Sequence, residues 1–361
     1  MIPEPGRRSA RRAAEVPAPR TVDFLLTYEC PSRCAYCFME QSGTPLTMTL
    51  AVVDRAVDWM AQAAQGPVEV VLLGGEPTLQ PLLIRRTIRR AREWERRLPV
   101  RFLFSMTTNA LPLDDSLADQ LVKWGVHYMI SVGGYGERHD RSRPAPGIES
   151  PFSLLQAKLP TLLSRQPQIA ARVTVTPDTV SYLAEDLAGI TRMGFSHFIV
   201  APATGREWPE EALEQFIAGI VAFARTRGRR EGRPFPLISP YDDPDEGRGT
   251  WGCGAGRGRY AIDPEGALFA CARFAGLTEN AKVRLGDVHT GVDAQGPIRD
   301  LQDSSYESRP GCLGCHMRER CLGGCPAINF SHSGRVVTPH PDECRFIKAI
   351  DEVKRRAFGA N

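Results

Sequence analysis

The sequence predicts an α/β protein whose first two-thirds repeat a parallel βα unit, followed by a cysteine-rich C-terminal region. Three observations carry this. From Thr21 to about Ala203, six short runs rich in Val, Ile, Phe and Leu recur. Between them lie five stretches with apolar residues at helical spacing. Seven of the ten cysteines fall beyond residue 250. Strands that alternate with helices pair in parallel through crossover connections. Six units are fewer than the eight of a closed TIM barrel.

In chain order, residues 1–20 are rich in Pro, Ala and Arg with no apolar period, which predicts a disordered basic tail. The strands are expected at Val22–Thr27, Val68–Leu73, Arg101–Thr107, His127–Val132, Ala171–Thr176 and His197–Ala201. The helices are expected at Leu50–Ala64, Leu82–Arg97, Leu113–Trp124, Phe152–Leu163 and Tyr182–Met193. Glu210–Arg227 reads as a further amphipathic helix with Leu213, Phe216, Ile217, Ile220 and Phe223 inward. The run Pro-Phe-Pro-Leu-Ile-Ser-Pro-Tyr-Asp-Asp-Pro at 234–244 argues against regular structure and places a boundary near residue 240. The expected units are therefore the tail at 1–20, a barrel with its connector at 21–240 and a second domain at 241–361. In the latter, Asp263-Pro-Glu-Gly266 has turn chemistry, so a hairpin holds Cys253 and Cys271 near each other.

The 361 residues are 42% hydrophobic and 24% charged, an ordinary soluble composition able to bury a core. A net charge of +3 does not argue for nucleic acid or a membrane as partner. No run approaches the roughly 18–20 apolar residues of a membrane span. The pairs Arg7-Arg8 and Arg11-Arg12 are followed by Ala-Ala-Glu-Val-Pro, not by the apolar core of an export signal. These features predict a reducing cytoplasm, where clustered cysteines bind metal rather than pair.

Cys30-Pro-Ser-Arg-Cys34-Ala-Tyr-Cys37 concentrates three thiols just after an expected strand. A closed zinc site wants a fourth ligand, and no Cys, His or Asp follows closely. Three thiolates suit a [4Fe–4S] cluster that keeps one iron open. Downstream, Cys312-x2-Cys315-x5-Cys321-x3-Cys325 and a closing Cys344 sit in a region poor in aliphatic residues, where metal supplies stability. Zinc is the alternative there too. After the second strand come Gly74-Gly75-Glu76-Pro77, after the third Thr107-Thr108-Asn109, and after the fourth Ser131-Val-Gly-Gly134. In parallel α/β folds ligands bind at these strand ends, although each stretch also has the chemistry of an ordinary turn or cap.

The Cys30–Cys37 spacing resembles the signature of radical S-adenosylmethionine (SAM) enzymes, and the C-terminal pattern, with Gly266 five residues before Cys271, resembles their SPASM domain. Together the two resemblances cover nearly all of the chain beyond its first twenty residues. They imply a partial (β/α)6 TIM-like barrel with a C-terminal auxiliary-cluster domain. They imply three [4Fe–4S] clusters: one on Cys30, Cys34 and Cys37 whose open iron chelates SAM, one on Cys253, Cys271 and Cys325, and one on Cys312, Cys315, Cys321 and Cys344. The second set is one thiolate short, so its fourth position is open or filled by another ligand. For SAM itself the resemblance implies Gly74, Gly75 and Glu76 at the amino group, Thr108, Asn109 and Ser131 at the ribose and carboxylate, Arg143 at the carboxylate and Tyr36 near the adenine. Relatives carry an aspartate two residues after the serine; here that position is Gly133, while His139-Asp140-x-x-Arg143 is kept.

The implied activity is hydrogen-atom abstraction by a 5′-deoxyadenosyl radical from a ribosomally made peptide. The product would be a thioether, carbon–carbon or ether crosslink, and the electron donor a protein such as flavodoxin or ferredoxin. Alternatives are formylglycine formation, as in anaerobic sulfatase maturases, or dehydrogenation of a small molecule. The maturases carry an aspartate after the cysteine matching Cys271, where this chain has Ala272. Epimerisation would need a free cysteine, and the cluster assignment leaves none. Only about twenty residues precede the barrel, so leader recognition is expected from a separate protein or from the barrel surface. No catalytic acid or base is named by the sequence.

Overall fold

The structure is a computed structural model that describes residues 16–39, 45–204, 206–227, 237–238, 253–294, 296–302, 309–317, 321 and 323–358. Its first half is the expected alternation. Strands β1 (Thr21–Thr27), β2 (Val68–Gly74), β3 (Phe102–Thr108), β4 (Val126–Val132), β5 (Ala170–Val175) and β6 (His197–Pro202) pair in that order, each parallel to the next. The crossovers are α1 (Leu50–Ala63), α2 (Pro81–Glu95), α3 (Asp115–Lys123), the pair α4 (Glu137–Ser142) and α5 (Pro151–Arg165), and α6 (Leu183–Arg192). Each expected boundary falls within about two residues of the observed one.

The helices start where capping chemistry dictates. Thr49 caps α1 through the Val52 N–H, Asp114 caps α3 through Leu117, and Ser150 caps α5 through Ser153. The core lies between strands and helices: Val68, Val70 and Leu72 of β2, Phe102, Phe104 and Met106 of β3, and Ala171 and Val173 of β5 are all buried. Strand residues alternate between faces, so Glu69, Ser105, Ser131, Arg172 and Thr174 face the barrel interior. Ser105 donates to Glu69 at 2.8 Å across that face.

The region behind the barrel is not a separate layer. Helix α7 (Glu210–Arg227) buries Leu213, Phe216, Ile220 and Phe223, with Ile217 partly buried, as expected. Leu237–Ile238 forms β7, parallel to β6. This corrects the expectation that the proline-rich run has no regular structure: two apolar residues between the prolines suffice to extend the sheet edge. The expected boundary near 240 lies outside the described residues. The hairpin of β8 (Arg259–Ile262) and β9 (Ala267–Phe269) forms as expected, but β8 also pairs parallel to β1. Among the described residues the sheet therefore runs without a break through the short strands β10 (Gly286–Asp287) and β11 (Gly291–Val292), eleven strands in all.

The short helices α8 (Ala272–Ala275), α9 (Ile298–Gln302) and α10 (Pro326–Ser333) lead to α11 (Pro341–Phe358). That last helix returns to α7: Phe346 meets Trp208 edge to face at 4.8 Å, and Arg345 reaches Glu210 at 2.7 Å. Of the expected tail, residues 1–15 lie outside the described residues. Residues 16–20 lie along the C-terminal region, with Pro17 O accepting from the Tyr260 hydroxyl at 2.6 Å and Arg20 N donating to Gly258 O at 2.7 Å. No helix among the described residues is long and apolar enough to cross a membrane.

Asp23 ties the two regions together. It sits inside β1 at 1% exposure and accepts Arg259 Nη2 at 2.6 Å, Arg259 Nε at 3.2 Å and the Ala272 N–H at 3.0 Å. Breaking a buried ion pair by removing one partner leaves the other uncompensated. Asp23→Ala is expected to cost about 2 kcal/mol, below the roughly 3–5 kcal/mol of a fully buried pair because Arg259 keeps 32% of its side chain exposed. Urea unfolding of the single variant and of Asp23→Ala with Arg259→Met checks this; the double variant should cost less than the sum of the singles.

His139 in α4 is buried, and its Nδ1 accepts the Gly133 N–H at 3.3 Å. Burial, then the nearby Arg143 charge, lowers its pKa from 6.5 to about 3. Over that interval the unfolded chain binds a proton here and the folded one does not. Its stabilising contribution is therefore full above pH 6.5 and is lost as pH falls toward 3. Wild type is expected to lose roughly 1.4 kcal/mol more per pH unit than His139→Asn across this window. Equal pH slopes of unfolding free energy in the two proteins would contradict it.

Candidate active site

The Cys30–Cys37 loop leaves the carboxyl end of β1, at the mouth of the barrel. It is clamped from several sides: Arg33 N donates to Pro144 O at 2.7 Å, Cys37 N to Cys34 O at 3.1 Å, and Arg206 Nη2 to Ala35 O at 2.7 Å. The three thiols act on one another. Cys30 is raised to about 11, chiefly by burial, and then by Glu76 and Cys34 against a backbone hydrogen bond. Cys34 is raised by burial and by Cys37, with Arg143 opposing.

The second strand end explains why its residues are Gly-Gly-Glu. Gly74 has φ +131°, and a Cβ there would overlap the Thr27 carbonyl oxygen; one at Gly75 would overlap that of Glu29. Gly75 N donates to Thr27 O at 2.7 Å and Glu76 N to Glu29 O at 2.8 Å. The segment thus lies directly on the backbone leading into Cys30, a proximity only glycine permits. The Glu76 side chain is buried and already engaged: Oε1 accepts Thr78 N at 3.1 Å, Thr78 Oγ1 at 2.6 Å and Thr108 Oγ1 at 2.6 Å, and Oε2 accepts Asn109 N at 2.7 Å. A ligand ammonium has to compete with these four donors. Thr108 likewise turns its hydroxyl inward, at 1% exposure. Asn109 faces the cysteine loop: its Nδ2 donates to Ser32 Oγ at 3.3 Å and lies 3.7 Å from Cys30 Sγ. The next residue, Ala110, has φ +61° and is the one non-glycine with positive φ among the described residues. Lys158 Nζ holds this turn by donating to the carbonyls of Ala110, Leu111 and Leu113 at 3.2, 2.5 and 2.9 Å.

At the end of β4, Ser131 is partly buried and its hydroxyl makes no hydrogen bond among the described residues. A Cβ at Gly133 would meet Ser142 Oγ and Arg143 Cγ, so the space of the relatives' aspartate is filled here by α4 and its C-cap. Arg143 is 9% exposed, not a surface ion pair. Its Nη1 donates to Tyr36 Oη at 2.8 Å, and its guanidinium lies 5.8 Å from the Tyr36 ring centroid. Tyr36 also bonds Thr174 of β5. Asp140 does not pair with Arg143; it caps the start of α5, accepting Phe152 N and Ser150 Oγ, both at 2.7 Å.

The remaining cysteines fall into two further groups. Cys253 and Cys271 bear on each other, and both bear on Cys325; burial first, then these neighbours, raises Cys271 to about 11 and, with Glu343 adding to them and Arg273 opposing, Cys325 to about 12. Cys312 feels Cys321 and Cys315, and Cys344, in the first turn of α11, is raised to about 11 by burial and then by Cys321, Cys312 and Cys315. None of the ten cysteines is in a disulfide. Among the described residues no three Cys, His, Asp or Glu close round a single ion. Grouped, unpaired thiols disfavoured as thiolates by burial and by each other fit a multi-iron centre, whose positive charge would hold them ionised.

Three residues of this neighbourhood were not singled out by the sequence. Asp23 bears on both Cys253 and Cys271. Arg273 donates to Thr204 Oγ1 at 2.5 Å and stacks over Phe38 at 4.9 Å. Arg172 points from β5 into the barrel. The signal available was a lone charge within an apolar strand, at Asp23 in Val22–Leu26 and at Arg172 in Ala171–Thr176.

Residues 24–156 match the sequence profile of the Radical SAM superfamily. Along most of its length the chain is similar to the PqqA peptide cyclase of Methylorubrum populi, 26% identical over 362 residues that cover 90% of this chain and 85% of that protein. It is also similar to the serine-type anaerobic sulfatase-maturating enzyme of Klebsiella aerogenes, at 24% over 330 residues, 85% and 80% of the two chains. In fold it resembles native anSMEcpe with bound AdoMet, with a TM-score of 0.75 at 16% identity over 94% of this chain and 97% of that one. It resembles Streptococcus suis SuiB bound to its precursor peptide SuiA with a TM-score of 0.64 at 14% identity, over 91% and 76%. With the cysteine loop at the mouth of a parallel partial barrel, the profile match identifies residues 24–156 as a radical SAM domain.

Proposed function

We propose that this enzyme modifies a ribosomally made peptide, joining two of its side chains through a thioether, carbon–carbon or ether bond. The observation that carries the proposal is the sorting of ten unpaired cysteines into groups of three, three and four, the first at the barrel mouth and the second at the β8–α8 side of the same interior. Cys30, Cys34 and Cys37 would hold the SAM-binding [4Fe–4S] cluster, Cys253, Cys271 and Cys325 one auxiliary cluster, and Cys312, Cys315, Cys321 and Cys344 the other. When bound, the first cluster with SAM supplies hydrogen-atom abstraction from an unactivated C–H bond.

The chain's own residues bind and orient. The free Ser131 hydroxyl, the Arg143 guanidinium, the Asn109 amide, the Tyr36 ring and the backbone of Gly74–Glu76 converge on the loop that carries Cys30. Charge-assisted contact from Arg143 suits a carboxylate. Peptide as substrate is supported by the relatives, a PqqA peptide cyclase and SuiB in complex with a precursor peptide. An electron enters from a flavodoxin- or ferredoxin-like donor, and the leader is recognised by a separate protein or by the barrel surface.

Formylglycine formation is the second reading, favoured by the likeness to the sulfatase-maturating enzyme of Klebsiella aerogenes. Against it, the residue after Cys271 is Ala272, and the carboxylate nearest its backbone, Asp23, is sealed at 1% exposure and cannot reach substrate.

Anaerobic reconstitution is expected to load about twelve irons per chain, and about eight when Cys30, Cys34 and Cys37 are all changed to Ala. Zinc in place of iron would remove the proposal. Incubation with SAM, reductant and a precursor peptide encoded beside the enzyme is expected to lower the peptide mass by two hydrogen atoms. Tandem mass spectrometry should then show two residues joined; an aldehyde at a single Cys or Ser would select the second reading.

A further inference from the structure

Arg172 has an unmet demand inside the barrel. It lies in register with Ser131 of β4 and Ile199 of β6, on the face that Thr174 shares when it bonds Tyr36. Among the described residues its guanidinium makes no hydrogen bond and no ion pair. Arg273 is close enough to act on it, held between Thr204 after β6 and Phe38 of the cysteine loop, with no carboxylate partner among the described residues. Arg259 is the third cation, but it is matched by Asp23. Burial, then Arg273, then Arg259, disfavours the charged form of Arg172, with Tyr36 and Asp23 opposing. Arg143, by contrast, faces Tyr36, Cys34 and Cys30 at the SAM side.

A guanidinium without a hydrogen bond or an ion pair is costly to hold in a partly buried space. The cost is relieved when a planar anion binds to it, for which guanidinium geometry is suited. The two arginines lie between the Cys30–Cys37 loop and the Cys253–Cys271–Cys325 group.

We propose that Arg172, with Arg273 nearby, forms an anion site in the barrel interior that takes a carboxylate of the peptide substrate. This rests on the peptide reading above and narrows it. The substrate presents an acidic side chain or a chain terminus next to the reacting residue, and the salt link sets which C–H bond faces the cofactor.

The test uses the reconstituted holoenzyme with SAM and three blocked probes, with affinities measured by anaerobic calorimetry. N-acetylglutamate α-amide carries only a side-chain carboxylate, N-acetylalanine only a terminal one, and N-acetylglutamine α-amide none. One acid is expected to bind at least about tenfold more tightly than the neutral probe, and which one identifies the source. Arg172→Gln should abolish that difference, Arg172→Lys should keep part of it, and SAM affinity should move less than about twofold in both. Iron content and circular dichroism report whether Arg172→Gln folds; if it does not, the Lys variant and the probe comparison on wild type still decide. Equal binding of acidic and neutral probes overturns the site. So does a tenfold loss of SAM affinity in Arg172→Gln, which would hand the anion to SAM. Arg172-dependent acid binding with no peptide ever modified would keep the site and sink the peptide reading. Unchanged kcat and KM for peptide in Arg172→Gln would sink the site alone.

Discussion

A carboxylate taken out of water must be paired, and the burial of Asp23 in the first strand sets much of this architecture. Its oxygens accept Arg259 from β8 and the Ala272 N–H from the start of α8. That arrangement draws β8 against β1 and fixes the backbone beside Cys271. The same strand ends in the Cys30 loop. Because β1 is 7 residues long at about 3.3 Å each, the two cysteine groups it connects are held within roughly 20 Å along one rigid element. Their separation is then set by covalent geometry rather than by a hinge.

The mouth of the barrel is built by backbones lying on one another too closely for side chains. Gly74 and Gly75 rest on Thr27 and Glu29, and Gly133 gives its space to Ser142 and Arg143. Polar side chains then lock the stacked turns. Glu76 gathers donors from Thr78, Thr108 and Asn109, so β2 and β3 end at one node. The left-handed Ala110 stores about 1 kcal/mol of strain beside Asn109. Lys158 offsets it through three carbonyls. Order established before binding lets a cofactor be oriented without further loss of freedom.

The parts of this design that are local could be read in the sequence. Alternation at period two and amphipathic spacing located all six barrel strands and α7, because each reflects one element packing on its own neighbour. The groupings at Cys30–Cys37 and Cys312–Cys321 were legible because those thiols lie close together in sequence. What escaped is long-range. Nothing in Arg259–Ile262 announces a parallel partner more than two hundred residues earlier, and nothing in Leu237–Ile238 announces β6. The role of Glu76 was half legible: its carboxylate was correctly placed at the strand end, but which way it turns depends on Thr108 and Asn109 from another unit. Arg172 was passed over because a single arginine in a strand looks like a surface residue until the barrel closes round it.

The unbroken sheet has a consequence for modularity. Auxiliary-cluster regions invite treatment as cassettes that can be moved between barrels. Here β8 occupies the flank of β1 by main-chain pairing over four registered residues, Thr21 to Phe24. Cutting the chain near residue 240 would strip that flank and leave β1, the strand that launches the Cys30 loop, as a raw edge with unpaired N–H and C=O groups. Raw edges recruit other strands. A truncated barrel would thus tend to self-associate through that edge, and a chimera would need its donor to supply a matching strand, not merely matching cysteines.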